Sequence, residues 1–198
     1  MNIKSMTVYC GAAYGVNPAY EKAAYEFGRS LAEKEIKLVY GGGALGLMGS
    51  IANGVLENGG EVTGVMPRFL TEREAAHPGV EDMRIVETMH ERKTLLEGLG
   101  DAIVALPGGA GTLEELFEVF TWGQIGLHKK PIGILNTENF YDDLINMFHK
   151  LVDSGFLEER YMSQIFVDNS LDDLLQQFNS HVPASVRTYK DLVKRHRS

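Results

Sequence analysis

Cysteine occurs once in the chain, as Cys10, so an internal disulfide is excluded, and with it any zinc site built from several thiolates. Basic charge is also short: 19 Lys and Arg stand against 27 Asp and Glu, a net charge of −8. A nucleic-acid binder needs a basic face for the phosphate backbone, so that class is not expected. No apolar stretch is long enough to span a bilayer, and the N-terminus runs straight into a strand pattern without a signal-like segment. The expectation is a cytoplasmic protein with no membrane partner. His77, His90 and His128 show no metal-ligand spacing among themselves, so no metal site is expected.

Glycine is what the chain has in quantity, and it gathers after apolar runs. Ala102 to Leu106 reads as a buried strand ended by Pro107, and Gly108-Gly109-Ala110-Gly111 follows. Thr112 then stands as a helix N-cap with Glu115 three residues on, the pattern of a capping box. Leu113, Leu116, Phe117 and Phe120 fall on one helical face, the stripe expected of a helix packed on a sheet. Strand, glycine turn and helix together place free N–H groups at a helix N-terminus, which suits a phosphate. No Lys-Ser/Thr follows the glycines, so the ATP-type P-loop is excluded, and the Gly-x-Gly-x-x-Gly spacing of dinucleotide binders is absent.

The same arrangement repeats along the chain. Strands are expected at Ser5 to Cys10, Lys37 to Tyr40, Glu61 to Met66, Arg84 to Thr88, Pro131 to Leu135 and Gln164 to Asp168, besides the motif strand. Helices are expected between them: one starts at Asn17-Pro18, one spans about Leu47 to Glu57, and one follows Met89. Others run from the motif to near Gly126, from Phe140 to Val152, and from the Ser170/Asp173 cap to Phe178. Small residues at Gly49, Ala52 and Gly54 suggest close helix packing. Pro67 to Gly79 reads as a loop or short helix over the site. Alternation of this kind predicts an α/β fold: a Rossmann-like, doubly wound parallel sheet of about seven strands with helices on both faces. With 44% hydrophobic residues and no internal linker or repeat, residues 1–198 are expected to form one domain. Ligands in such folds bind at the carboxyl ends of the strands. Cys10-Gly11, Gly41 to Gly43, Met89 to Lys93 and Pro107 to Thr112 should therefore converge.

Two residues in this set carry chemistry. Arg92 stands with Lys93 in the first turn of a helix, where the dipole disfavours cations, so a ligand role for the guanidinium is expected. Glu115 is placed away from the apolar stripe, near Val119 and Trp122. That second apolar face suggests a subunit interface, and a carboxylate beside it is a candidate acid or base with a raised pKa. The basic tail (Arg187, Lys190, Lys194, Arg195, Arg197) reads as a solvated helix end.

Pro107-Gly108-Gly109-Ala110-Gly111-Thr112-Leu113-Glu114-Glu115 resembles the Pro-Gly-Gly-x-Gly-Thr-x-x-Glu motif of the Lonely Guy family of cytokinin-activating phosphoribohydrolases. Gly41-Gly42-Gly43 with Gly46-Leu47-Met48-Gly49, and Met89-His90-Glu91-Arg92-Lys93, are similar to its other two signatures, and Thr121-Trp122 fits the continuation of the motif helix. The resemblance covers roughly residues 5 to 180. It implies a cofactor-free homodimer that hydrolyses the N-glycosidic bond of nucleoside 5′-monophosphates bearing an N6-modified adenine, giving free base and ribose 5-phosphate. It further implies that Arg92 and Glu115 are catalytic. Lys93, Gly108, Gly109, Ala110, Gly111, Thr112 and Glu114 would bind the nucleotide, with Gly42 and Gly43 beside them; Thr121 and Glu74 are weaker candidates. Ala12 stands where the family often has Ser, and Ala110 where a bulkier residue is frequent. Two alternatives remain at this point: an AMP nucleosidase using the same residues, and a non-catalytic nucleotide or molybdopterin-type carrier, which would not need the Arg92/Glu115 pair.

Overall fold

A computed structural model describes residues 1–71 and 75–188. Seven strands form one sheet: β1 (Ser5–Tyr9), β2 (Lys37–Tyr40), β3 (Val62–Pro67), β4 (Asp82–Val86), β5 (Ala102–Ala105), β6 (Ile132–Leu135) and β7 (Ile165–Asp168). Their order is β4-β3-β2-β1-β5-β6-β7, and every neighbouring pair is parallel. The apolar runs that mark the central strands in sequence are there because both faces are covered; Ala102–Ala105 is buried at every residue.

The helices are α1 (Pro18–Glu33), α2 (Gly46–Leu56), α3 (Arg68–Thr71), α4 (Met89–Leu99), α5 (Ala110–Gln124), α6 (Asp142–Asp153), α7 (Glu159–Met162) and α8 (Leu171–Phe178). Strand alternation sorts the core into two layers. Met6 and Val8 of β1 pack with Phe27 and Leu31 of α1, Ile51 and Val55 of α2, and Leu174 and Phe178 of α8. Tyr9 faces the other way, into a layer with Leu96 of α4, Leu116 and Phe120 of α5, and Phe148 of α6. The small residues of α2 do pack closely: a Cβ at Gly54 would collide with the Tyr25 carbonyl of α1. Asn17 caps α1, accepting from Ala19 N–H at 2.9 Å, and Pro18 follows at its first helical position. Ser170 caps α8 in the same way.

Several boundaries differ from the sequence reading. β4 lies two residues earlier than Arg84 to Thr88, because Thr88 is drawn out of the strand to cap α4, accepting from Glu91 N–H at 3.1 Å. Glu91 in turn accepts from Glu87 N–H at 2.8 Å, one residue before the cap, so Thr88 and Glu91 together hold the start of α4. The Thr112/Glu115 box is not formed. Helix α5 begins at Ala110 with Gly109 as N-cap and no side-chain cap bond, since the glycines let the chain turn helical before Thr112 is reached. Val119 is likewise no surface residue: it is buried in the α5 layer, while Phe117 is turned outward, where its ring packs 5.5 Å from that of Phe148. The apolar stripe is therefore rotated from the one expected.

Connections leave β1 toward β2 on one side and β5 toward β6 on the other, so the strand order reverses between β1 and β5. The crevice at the carboxyl ends of those two strands is where a ligand fits in this topology. No helix among the described residues is long and apolar enough to cross a membrane.

Candidate active site

A cleft of about 560 Å³ opens at that point. Its floor is Tyr9, Cys10 and Gly11 from the end of β1 and Pro107 and Gly108 from the end of β5, tied together where Gly11 N–H donates to the Pro107 carbonyl at 3.0 Å. One rim is the start of α5, with Gly109, Gly111, Thr112, Glu114 and Glu115. Gly41, Leu47, Met48, Met89 and Arg92 form another, and Tyr14, Tyr20 and Phe140 a third.

The α5 rim has the features of an anion cradle. The first bond within the helix runs from Leu113 N–H to the Gly109 carbonyl at 3.1 Å, and no side chain caps the end. The helix therefore leaves the amides of Ala110, Gly111 and Thr112 without an intrahelical partner, and its dipole is positive there. Cβ atoms at Gly109 and Gly111 would meet nothing within 4 Å, so neither glycine is crowded by a neighbour. Thr112 is buried with its hydroxyl beside Gly108.

Arg92 is buried on α4, and its Nη2 lies 3.4 Å from the Gly41 carbonyl. Its Nε has no hydrogen-bond partner among the described residues. A buried guanidinium donor left over in this way is costly unless something else accepts from it. Neither Glu91 nor Glu97 neutralises it: Glu91 is used in the α4 cap, and Glu97 pairs with Lys130 at 2.7 Å.

Glu115 lines the same cleft as this cation and interacts with its charge. Burial pushes its carboxyl up to about 7; Arg92 and Lys93 oppose the rise, while Glu114 and Glu118 add to it. The group is thus poised near neutrality, able to hold or release a proton. Cys10 on the floor is not a nucleophile of the same kind, because burial raises its thiol far above neutrality.

The remaining sequence candidates are placed as follows. Lys93 does not line the cleft; its ammonium is held by Glu114 at 2.6 Å and Glu118 at 2.9 Å, behind Glu115. Gly42 and Gly43 lie beneath it and hold the 75–80 segment: the Gly42 carbonyl accepts from His77 N–H at 3.0 Å, and Gly43 bridges to Ala76. Ala110 is exposed at the first position of α5, outside the cleft lining. Thr121 lies further along α5, its hydroxyl donating to the Phe117 carbonyl at 2.7 Å, and it does not reach the site. Glu74 and the tail from residue 189 lie outside the described residues. His77 and His128 are both buried and kept below the usual histidine range by that burial, and each is bonded locally, to Asn53 and to the Val119 carbonyl.

Sequence reasoning missed the Tyr14, Tyr20 and Phe140 rim. Its one signal was turn chemistry, Asn136-Thr137-Glu138-Asn139, just after β6; Glu138 and Asn139 both take left-handed φ values, 54° and 59°.

A family profile described as "Possible lysine decarboxylase" matches residues 48–178. The cytokinin riboside 5′-monophosphate phosphoribohydrolase LOG of Oryza sativa subsp. japonica is 43% identical over 180 residues, covering 91% of this chain and 74% of that one. The chain belongs to the Lonely Guy (LOG) family. A bacterial member, the cytokinin riboside 5′-monophosphate phosphoribohydrolase of Rhodococcoides fascians, is 42% identical over 178 residues, covering 89% of this chain and 90% of the relative. Solved structures with the same fold include the Moco carrier protein of Chlamydomonas reinhardtii, with TM-score 0.68 at 20% identity over 91% of this chain and 100% of that one. The molybdenum cofactor binding protein of Rippkaea orientalis follows at TM-score 0.67, 20% identity, and 91% and 98% coverage. At that level of identity the likeness establishes the α/β fold that this LOG-family chain shares with the carriers.

Proposed function

We propose that this LOG-family chain is a phosphoribohydrolase, cleaving the N-glycosidic bond of N6-modified adenosine 5′-monophosphates with water to give the free base and ribose 5-phosphate. The carrying observation is the pairing, inside one cleft, of an open amide cradle with a carboxyl held at about 7 and a buried arginine with an unused donor.

The 5′-phosphate docks on the amides of Gly111 and Thr112, which line the cleft, with the Gly108–Gly109 turn close against it. This anchors the sugar over the floor, so that the binding energy of a group remote from the reaction positions the anomeric carbon. Arg92 presents its guanidinium to the sugar-phosphate and keeps its charge at any pH the protein meets. As the bond to the base breaks, positive charge builds on the ribose ring and the Glu115 carboxylate stabilises it; water bonds to the anomeric carbon and gives a proton to Glu115, while the departing base nitrogen takes up a proton from solvent. A carboxyl of ordinary pKa would be a weaker base; burial raises its basicity into the working range. Nearby, Lys93 favours the ionised form of Glu115, while Glu114 and Glu118 oppose it.

Decarboxylation of lysine, the activity in the profile's description, finds no anchor here. Among the described residues the cleft is lined by no lysine that could form an imine. A pure carrier would have no use for a carboxyl tuned to about 7 next to a buried arginine. The protein is further read as a cytoplasmic homodimer, joined through the outward apolar side chains Phe117, Ile125, Leu127 and Met147 on the α5–α6 side.

The test is base release from matched pairs: AMP, N6-isopentenyl-AMP and their nucleosides, followed by chromatography. Cleavage of the nucleotides with the nucleosides at least about 100-fold poorer in kcat/KM is expected, because the anchor is lost. Equal rates for adenosine and AMP would remove the cradle from the account.

A further inference from the structure

The second glycine turn, Gly41 to Ala44, is paired with a neighbouring stretch of chain. Ala44 N–H donates to the Ala75 carbonyl at 2.9 Å, Gly43 bridges antiparallel to Ala76, and His77 N–H donates to the Gly42 carbonyl at 3.0 Å. Residues 75–77 thus lie along the turn like a short extra strand. Pairing over so few residues is marginal by itself, so the segment needs a further anchor.

The His77 side chain supplies it. The residue is 8% exposed, although Ala75, Ala76, Pro78 and Gly79 around it are all exposed. Its Nδ1 accepts from Gly79 N–H at 3.2 Å, and its Nε2 lies 3.0 Å from Asn53 Oδ1 on α2. A backbone N–H can only donate, so Nδ1 carries no proton; in the neutral ring the proton is on Nε2, where Asn53 accepts it. Both nitrogens are therefore engaged, and only in the neutral imidazole. A proton on Nδ1 would set two N–H groups against each other. Leu56 of α2 packs at the same point: a Cβ on Gly79 would lie 3.4 Å from the ring and 3.2 Å from Leu56. Asn53, Leu56 and Gly79 carry no charge, and burial is what holds the ring below the usual histidine range.

The turn held in this way bears on the cleft. Gly41, one residue before the pairing begins, offers its carbonyl to Arg92 Nη2 at 3.4 Å. That distance is near the outer limit of a hydrogen bond, so moving the turn away from α4 by roughly half an ångström would end it. We propose that His77 is a positioning residue for Arg92, its neutral imidazole latching residues 75–80 onto the turn whose carbonyl holds the guanidinium. Protonation of the ring opens the latch, which gives the site a second acid-sensitive group besides Glu115. This rests on the nucleotide reading of the cleft given above.

Two variants separate the latch from a merely structural role. His77→Asn keeps an acceptor for Gly79 N–H, as asparagine does in turns, but takes up no proton. His77→Phe fills the space and makes neither bond. Base release from N6-isopentenyl-AMP is followed from pH 8 to pH 5, with circular dichroism confirming the fold at each pH. At pH 8 His77→Phe should lose about tenfold in kcat/KM, and His77→Asn less. The ratio of wild type to His77→Asn should then fall at least about threefold between pH 7 and pH 5, because Glu115 and the substrate phosphate titrate in both proteins and the imidazole in one. A ratio that stays flat overturns the latch, and this comparison decides alone if His77→Phe does not fold. The route through Arg92 is read from AMP affinities in the Glu115→Gln background, where the ligand survives. His77→Phe should weaken binding about tenfold when Arg92 is present and less than about twofold when Arg92→Gln is added. Equal losses in the two overturn the role assigned to His77. Failure of the hydrolase reading looks different: wild type would release no base while the coupling between His77 and Arg92 in AMP binding stood.

Discussion

The guanidinium of Arg92 reaches its place over the cleft only because residue 41 is glycine: a Cβ on Gly41 would occupy the position of Arg92 Nη2, the nitrogen that sits 3.4 Å from the Gly41 carbonyl. The second glycine turn thus contributes to the site by leaving room for an arginine from another helix. Gly41→Ala should displace the flexible end of Arg92 with little change in melting temperature. The expected loss is about 10- to 100-fold in kcat/KM for a nucleotide substrate, within the range for losing one positioning group. Wild-type kinetics in a Gly41→Ala protein would mean that the observed arginine position is not the working one.

The pH dependence follows from Glu115. The carboxylate is the active form, and the free protein holds it at about 7. Base release at low substrate should therefore rise with pH and reach half its plateau near 7. Lys93 favours the ionised form, so Lys93→Met should move that midpoint upward, by roughly half to one unit. A midpoint near 4.5 in wild type would return Glu115 to an ordinary solvated carboxylate.

The same shift makes a stability prediction. A folded-state value of about 7 against about 4.5 for the exposed side chain means that the folded protein binds this proton more tightly than the unfolded chain does. Stability is lost as pH rises from the unfolded value, and the loss is complete above the folded one. Its upper limit is on the order of 3 kcal/mol. Glu115→Gln should accordingly raise the melting temperature by several degrees at pH 8 and by almost nothing at pH 4.5, read by calorimetry. A destabilised Gln variant at pH 8 would show that the carboxylate is a structural partner.

Much of this was legible in the chain before any coordinates. Each central strand announced itself because a strand buried on both faces needs an unbroken apolar run, as at Ala102 to Leu106, and the parallel order followed from helices intervening each time. Arg92 stood out as a cation at a helix start, where stability alone would not place it, and Glu115 as a carboxylate beside an apolar face. What was not legible depended on rotation and on distant partners. Thr112 and Glu115 have the spacing of a capping box, and the pattern does not reveal that the helix begins three residues earlier, with Gly109 as its N-cap and no side chain over the first amides. Val119 and Trp122 look like a second apolar face until the stripe is turned by the packing of Leu116 and Phe120 on the sheet. Phe140 looks like the first apolar residue of helix α6; only the left-handed turn before it aims the ring at Tyr20.

The assembly can be tested without substrate. Phe117, Ile125, Leu127 and Met147 are exposed apolar side chains in and just after α5 and in α6. Light scattering should give about twice the 21.9 kDa chain mass. An aspartate at Leu127 should shift the protein toward the monomer, because an unpaired charge is costly in an interface core. A wild-type monomer at micromolar concentration would contradict the homodimer.

The measurement nearest to the central claim is the product balance of wild type and Glu115→Gln with N6-isopentenyl-AMP, quantifying free base and ribose 5-phosphate in one reaction. Wild type should release the two in equal amounts. The Gln variant should remain folded, bind the nucleotide, and turn over about 10²- to 10⁴-fold more slowly, the usual range for a lost general base. No base from the wild-type protein, or near wild-type turnover from Glu115→Gln, would contradict the account.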